Sequence, residues 1–525
     1  MTYSPAVPPK EVDANSATER ALAGIWRRLL GVARVDRQDD FFALGGDSFR
    51  AGRLAAEVRQ AFGAPATAAL AFDRPVLAGQ AAWIDAHAST PAPAPATTGA
   101  DPELALTTQQ LEFLDWMAAT EPPRDPGAIS TAIRLREPLD PELLRRALDA
   151  LTRRHEPLRL LRERTPDGRL QLSVAAELPA ELELVTARDE AHAAELARDE
   201  RERVGDLVAD PLVRALLIRL APNDAVLVLS VHHFVFDGWS LGVLLRELGR
   251  LVSAFAAGRP DPLAPPALHH AGYCAWTAQQ WDRNREFWQQ RLAGAPRALE
   301  PFPGRLRTDR FSRRRHGFEL SAAELGALRL RARALGATPF MAVAACWTRV
   351  LADWTGLTDL VLMSPVPGRT AAEHDALIGC LVQSLLLRVD TAAAPDFPTL
   401  LGRVRTTALE AATHQFHAYH ETAPLVPFPA RIHYENWGSG PFLPGVRSEP
   451  FPLPREQEGL DWPTPGGELD LSTPELICEE RPDGSLSAAV VYNHHAFAPD
   501  TAARLAAAFR TEVAAAAGPQ ESTLA

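Results

Sequence analysis

The sequence predicts an α+β protein in two parts, a small helical domain followed by a much larger domain of mixed strands and helices. Three observations carry that prediction. Apolar residues recur at helical spacing between Ala17 and Phe62. A Pro/Ala/Thr-rich stretch without apolar periodicity follows at Ser89–Glu103. From Leu104 onward, helical and strand patterns alternate to the end of the 525 residues.

Composition narrows the function classes. A chain of 525 residues exceeds one ordinary core, so two or more domains are expected. Hydrophobic residues at 46% and charged residues at 23% describe a soluble globular protein. A net charge of −12 argues against a nucleic-acid surface. No apolar run approaches the ~20 residues that span a bilayer, and Met1-Thr2-Tyr3-Ser4-Pro5 does not open a secretory signal, so a cytoplasmic protein is expected. The four cysteines (Cys274, Cys346, Cys380, Cys478) lie far apart without metal-ligand spacing. They read as reduced, mostly buried thiols, and no metal site is expected.

The first helix is marked by Leu22, Ile25, Leu29 and Leu30 and runs from Ala17 to Leu30. The block Asp39-Asp40-Phe41-Phe42-Ala43-Leu44-Gly45-Gly46-Asp47-Ser48 comes next. A second helical pattern follows in Leu54, Val58, Ala61 and Phe62, with Gly63 as its stop. Two glycines free the backbone ahead of this helix, and the Asp-Ser pair sits at its N-terminus, where exposed N–H groups favour anions. Ser48 therefore reads either as an ordinary N-cap or as an exposed hydroxyl suited to a phosphate ester.

Leu106 to Leu114 opens the large domain, and Leu143 to Leu151 forms an amphipathic helix ending in Arg153-Arg154-His155-Glu156-Pro157-Leu158-Arg159. Strands are predicted at Leu170–Val174 and Val226–Val231, and a break near Leu268–Pro303 separates two comparable halves. Beyond it the pattern predicts a strand near Phe318–Leu320, helices over Ala322–Leu335 and Phe340–Trp354, and strands at Leu360–Met363, Leu385–Val389 and Ser487–Tyr492. A closing helix is predicted from Asp500 to about Ala515.

The most informative run is Val231-His232-His233-Phe234-Val235-Phe236-Asp237-Gly238-Trp239-Ser240. It follows a nearly all-apolar, β-branched stretch that reads as a strand covered on both faces. It precedes a helix marked by Leu241, Leu244, Leu245, Leu248, Leu251, Val252 and Phe255, with Ser240 as its expected N-cap. A histidine on such a strand–turn–helix corner can sample both protonation states near neutral pH and serve as a base or proton shuttle. The alternative is two packed histidines, with Asp237 bonding a turn backbone.

Residues 12–88 resemble the peptidyl carrier proteins of nonribosomal peptide synthetases, through DDFFALGGDS in its helical setting. The resemblance implies a four-helix domain with 4′-phosphopantetheine on Ser48, placed there by a phosphopantetheinyl transferase. Residues 89–103 then form a linker whose fifteen residues reach about 45 Å as polyproline II. Residues 104–525 resemble the condensation domains of the same enzymes. The match rests on HHxxxDGWS at His232–Ser240, Arg154–Arg159, Thr108-Gln109-Gln110 with Trp116, and Ile378–Ser384, where Gln383 stands for the usual asparagine. Tyr273–Trp276 lacks an expected aspartate, and the match after His414-Gln415 fades.

This resemblance implies two lobes related to chloramphenicol acetyltransferase, set as a V around the active site, over 104–268 and 305–525, with a connection at 269–304. It implies that the α-amine of an acceptor aminoacyl thioester, on a downstream carrier, attacks a donor aminoacyl or peptidyl thioester. The donor's activated amino acid comes from an upstream adenylation domain. His233 takes the catalytic position, as general base or by orienting the amine, and His232 is packed beside it. Asp237 is a candidate catalytic carboxylate, or it pairs with an arginine and fixes the turn, with Arg313-Arg314-Arg315 as the candidate source. Gly238 lets the backbone turn and the substrate approach, with an N–H near the developing oxyanion. Trp239, Ser240, Gln383 and Ser384 are candidates for the substrate channel. The domain order favours an L-configured or achiral donor. An epimerisation domain, which also carries HHxxxDG, and a non-catalytic carrier-docking module are the alternatives.

Overall fold

The computed structural model describes residues 16–89, 106–118, 127–165, 170–203, 206–306, 308, 310–393, 396–426, 429–435, 443–452, 458–463 and 473–518. The expected linker beyond Ser89 and residues 12–15 of the small domain lie outside them. In chain order the elements are α1 (Ala17–Leu30), α2 (Ser48–Phe62), α3 (Ala69–Asp73), α4 (Leu77–His87), α5 (Thr108–Ala118), β1 (Ala128–Leu135), α6 (Pro141–Arg154), β2 (Leu160–Arg164), β3 (Leu170–Val174) and β4 (Glu181–Thr186). Then come α7 (Glu190–Glu202), β5 (Val213–Ala221), β6 (Asp224–His232), α8 (Gly238–Ala256), α9 (His270–Leu292), β7 (Arg310–Leu320), α10 (Ala322–Ala334), α11 (Pro339–Thr355) and β8 (Asp359–Val366). The last are β9 (Gln383–Asp390), α12 (Phe397–Thr413), α13 (Tyr419–Thr422), β10 (Ala430–Glu435), β11 (Ser448–Pro450), β12 (Glu458–Pro463), β13 (Glu475–Glu480), β14 (Leu486–Asn493) and α14 (Pro499–Ala517).

Two units divide the chain. The first takes in the described residues of Met1–Ala96, Leu328–Ala345 and Ala394–His414. Its four N-terminal helices form where the periodicity predicts. Helix α1 opens with a capping box, in which Ser16 Oγ accepts the Glu19 N–H and Glu19 Oε2 accepts the Ser16 N–H. Helix α2 ends at Gly63, whose φ of +63° and 2.3 Å clearance between a Cβ and the Ser89 carbonyl both demand glycine. Trp26, Phe41, Leu54 and Val58 are fully buried, and Trp26 Nε1 donates to Gln80 Oε1 at 3.1 Å. In the same unit α12 packs on α2.

The second unit holds the three sheets found among the described residues. The first runs β11-β1-β6-β5-β4, parallel only at β4–β5. β6 lies between β1 and β5 and is buried from Val226 to His232, the doubly covered strand its composition predicts. β11, from far along the chain, adds to the edge of this sheet beside β1. Helices α6 and α8 pack together over it, burying Leu144, Leu148 and Leu151 against Leu244, Leu248 and Leu251. Fully burying each such leucine contributes roughly 1.5–3 kcal/mol.

The second sheet runs β12-β7-β14-β13-β10-β8-β9, parallel at β10–β13 and β10–β8. Helix α14 covers β7 and β14. The third is the hairpin β2-β3. All four cysteines are free and buried, as expected.

Candidate functional site

β6 ends at His232, and one turn of 3-10 helix (His233–Val235) carries the chain to α8. His232 is buried and its Nδ1 accepts the Phe234 N–H at 3.1 Å, so it packs and caps the turn. His233 is half-buried, and its main-chain N–H donates to the Gly127 carbonyl at 2.8 Å. Its Nδ1 lies 2.7 Å from the Phe236 carbonyl oxygen. A carbonyl can only accept, so Nδ1 bears the proton and Nε2 is the ring's one acceptor. Phe113 of α5 meets the ring edge-on at 5.0 Å, and Cys380 Sγ lies 4.0 Å from Nδ1. Burial lowers the His233 pKa below its ordinary value, outweighing the Phe236 carbonyl and the Asp237 charge that raise it. The ring is therefore a neutral imidazole near neutral pH.

The opening motif serves this turn. Gln110 Nε2 donates to the Phe234 carbonyl at 2.9 Å while its Oε1 accepts the Thr107 N–H at 3.0 Å. The side chain of Trp116 lies outside the described residues. In the Arg154-His155 segment, His155 Nε2 lies 2.8 Å and Arg154 Nε 3.2 Å from Glu247 Oε2 on α8.

Asp237 does pair with an arginine, but with Arg369 rather than the Arg313-Arg314-Arg315 run. Those three sit on β7, where Arg313 pairs with Glu475 at 3.1 Å. Arg369 is fully buried after β8 and donates through Nη1 to Asp237 Oδ2 (2.8 Å) and through Nη2 to Oδ1 (3.1 Å). Asp237 also accepts the N–H groups of Ser240 (2.8 Å) and Leu381 (3.0 Å) and the Ser240 hydroxyl (2.7 Å). Both carboxylate oxygens are thus occupied, which suits a structural anchor and leaves no lone pair for a proton in flight. Arg369 itself follows Gly368, whose φ of +68° and 2.0 Å Cβ clearance to the Leu381 carbonyl admit only glycine.

Three other expectations differ from the structure. The N-cap of α8 is Asp237, not Ser240. Ser240 is fully buried, with Oγ accepting from Arg369 Nη2 (3.0 Å) and the Gly379 N–H (3.1 Å), so it joins two loops and does not face a channel. Gly238 is the exposed first residue of α8 and has no positive φ, so the backbone does not require glycine there. A Cβ at Gly238 would meet nothing within 4 Å, which leaves open space above the turn for an approaching group. Trp239 is half-buried at the core edge and donates to the Asp375 carbonyl at 3.0 Å. Gln383 is buried with Nε2 on the Leu381 carbonyl, and the half-buried Ser384 offers its carbonyl to His417 Nε2 at 2.8 Å.

Ser48 is not the cap of its helix either. Asp47 is, with its side chain accepting the Arg50 N–H at 2.8 Å. That leaves Ser48 as the half-exposed first residue of a 15-residue helix, its hydroxyl without a hydrogen-bond partner among the described residues. A free hydroxyl at a helix N-terminus fits a phosphodiester.

Arg369, Phe113 and Cys380 are the site residues that sequence reasoning missed. A buried aspartate demands a cation, but nothing local singles out Arg369 among 54 lysines and arginines except its place in a Pro-Gly-Arg turn.

Comparison with known proteins gives two family matches. Residues 128–423 match the model described as condensation domain, and residues 20–84 match that described as phosphopantetheine attachment site. A linear gramicidin synthase polypeptide of Brevibacillus parabrevis is 32% identical over 96% of this chain, which spans only 7% of that protein. Among solved structures, the X-domain from teicoplanin biosynthesis superposes with a TM-score of 0.67 at 25% identity, covering 81% of this chain and 97% of that one. The epimerization domain of tyrocidine synthetase B superposes with a TM-score of 0.62 at 18% identity, covering 80% of this chain and 98% of that one. It shares the fold.

Proposed function

Because the chain belongs to the condensation-domain family and carries a phosphopantetheine attachment domain ahead of that domain, we propose that it forms a peptide bond within a nonribosomal assembly line. The donor is held by the small domain, and the acceptor is an aminoacyl thioester on a downstream carrier. The observation that carries this reading is the neutral His233. Its protonated Nδ1 is tied to the Phe236 carbonyl, and its turn is anchored by the buried Asp237–Arg369 pair. When bound to Ser48, 4′-phosphopantetheine supplies a terminal thiol that holds an acyl group as an activated thioester.

His233 Nε2 has one lone pair to offer. It can take a proton from an attacking ammonium or accept a hydrogen bond that orients the amine, and general-base help is worth roughly 10²–10⁴-fold. The Nδ1 contact keeps the ring in the required tautomer, and burial keeps it unprotonated. Asp237, Ser240 and Arg369 hold the strand end, helix start and facing loop in register, so the histidine does not swing. Positioning two bound reactants is itself a large part of the barrier lowering available here.

Within that reading the donor is L-configured or achiral, since no epimerisation segment separates the carrier from the condensation domain. Epimerisation is the second reading, because an epimerization domain shares the fold. The Trp239-Ser240 continuation favours condensation. The implied partners are a phosphopantetheinyl transferase, an upstream adenylation domain and a downstream carrier in the cytoplasm.

The test loads Ser48 with an aminoacyl-pantetheine donor, adds an aminoacyl-pantetheine acceptor, and follows the products by intact mass. Amide formed by wild type and lost in His233→Ala is expected. Amide formation unchanged in His233→Ala overturns the role given to His233, and donor racemisation without amide selects the epimerase. An equal mass gain in Ser48→Ala on treatment with a transferase overturns the attachment site.

A further inference from the structure

Two arginines flank the contact between α2 and α12. Arg405, on α12, donates from Nη2 to Asp73 Oδ1 at 2.9 Å, and its guanidinium carbon lies 5.5 Å from the Phe72 ring centroid. Its Nε is tied to the Gly336 carbonyl at 2.9 Å. The Gly336 contact orients the planar fork toward α3, which reduces the entropy lost on contact. Arg333, in the last turn of α10, places Nη2 3.6 Å from Asp40 Oδ1. That same oxygen accepts the N–H groups of Phe42 and Ala43, each at 2.9 Å, and so shapes the loop that leads to Ser48. One arginine thus touches the end of α3 and the other the loop before α2. Between them α2, which begins at Ser48, lies on α12.

α12 and the end of α10 carry the contact with the carrier of this same chain, and we propose that Arg405 and Arg333 select that carrier by carboxylates at positions 73 and 40. The proposal rests on the reading of the small domain as a donor carrier. Both pairs are partly exposed, so each is individually weak and screened by salt. Weakness suits the task. The fifteen-residue connection over 89–103 keeps the carrier near millimolar effective concentration, so a loose contact is occupied often yet released for other partners. Charges at a contact rim govern encounter and partner choice more than affinity. A carrier without acid groups at these two positions is therefore discriminated against.

The test uses the full chain, phosphopantetheinylated and acyl-loaded, with Arg405→Glu, Asp73→Arg and the double substitution. The quantity read is the rate of amide formation from the carrier-borne donor divided by that from a diffusible acyl-pantetheine thioester. The ratio is expected to fall on the order of tenfold in either single variant, to recover in the double, and to fall in wild type at about 0.5 M salt. A ratio within twofold of wild type in Arg405→Glu, or no recovery in the double, overturns the proposal. If wild type forms no amide from either donor, the condensation reading fails and docking is judged by X-ray scattering. A larger radius of gyration in Arg405→Glu that returns in the double supports the surface, and equal radii overturn it.

Discussion

Removing the Arg369 guanidinium is expected to be the most damaging single change near the site. Arg369 has no exposed surface and donates two charge-assisted hydrogen bonds to Asp237, at 2.8 and 3.1 Å. Bonds of that kind are worth about 1.5–3 kcal/mol each, and removing one partner of a buried pair costs about 3–5 kcal/mol because a lone charge stays behind. Asp237 would keep two N–H donors and one hydroxyl, which neutralise none of its charge. Arg369→Ala is therefore expected to destabilise by about 3–5 kcal/mol, read as a lowered urea midpoint in tryptophan fluorescence. Arg369→Lys keeps the charge without the two-pronged geometry and should fall between the two. Against Asp237→Asn, a double-mutant cycle should return a coupling of at least ~1.5 kcal/mol. Amide formation should drop along with stability, because Asp237 caps the helix that follows the His233 turn. A loss below ~1 kcal/mol with a normal condensation rate would refute the anchoring argument.

Other outcomes follow from the same geometry. With the His233 pKa held below its ordinary value by burial, the histidine-dependent limb of the rate should lie on the acid side of an ordinary imidazole, active above it and lost as pH falls through it. An acceptor α-amine titrates separately near ~8, and survival of the lower-pH limb in His233→Ala would contradict the assignment. Gln110→Leu removes two buried hydrogen bonds and strands the Phe234 carbonyl, costing about 1–3 kcal/mol and slowing amide formation; an unchanged unfolding midpoint would count against the clamp. In Gly46→Ala the new Cβ would lie 2.3 Å from the Phe41 ring and 2.6 Å from its carbonyl oxygen. That overpacking should cost about 1–3 kcal/mol and slow Ser48 modification, and an unaltered thermal midpoint would show the loop yields freely.

The features legible before folding were local and periodic. The run Val226–Val231 favoured a doubly covered strand, Gly63 stopped α2, and the strand–turn–helix corner marked the His232-His233 pair, of which only the family resemblance singled out His233. These follow because apolar spacing and glycine chemistry act over a few residues of backbone. The charged contacts of the corner were decided elsewhere. Asp237 meets Arg369 across 132 positions and Ser240 meets Gly379 across 139, so the Arg313-Arg314-Arg315 run was the wrong source of the cation and Ser240 was wrongly placed on a channel. Coulomb attraction and desolvation depend on distance in space, and sequence separation carries no record of which of 54 cationic side chains will be buried beside a carboxylate. The proton's place on His233 is of the same kind. Imidazole chemistry makes both tautomers available, and only a carbonyl brought to 2.7 Å by the folded turn selects one.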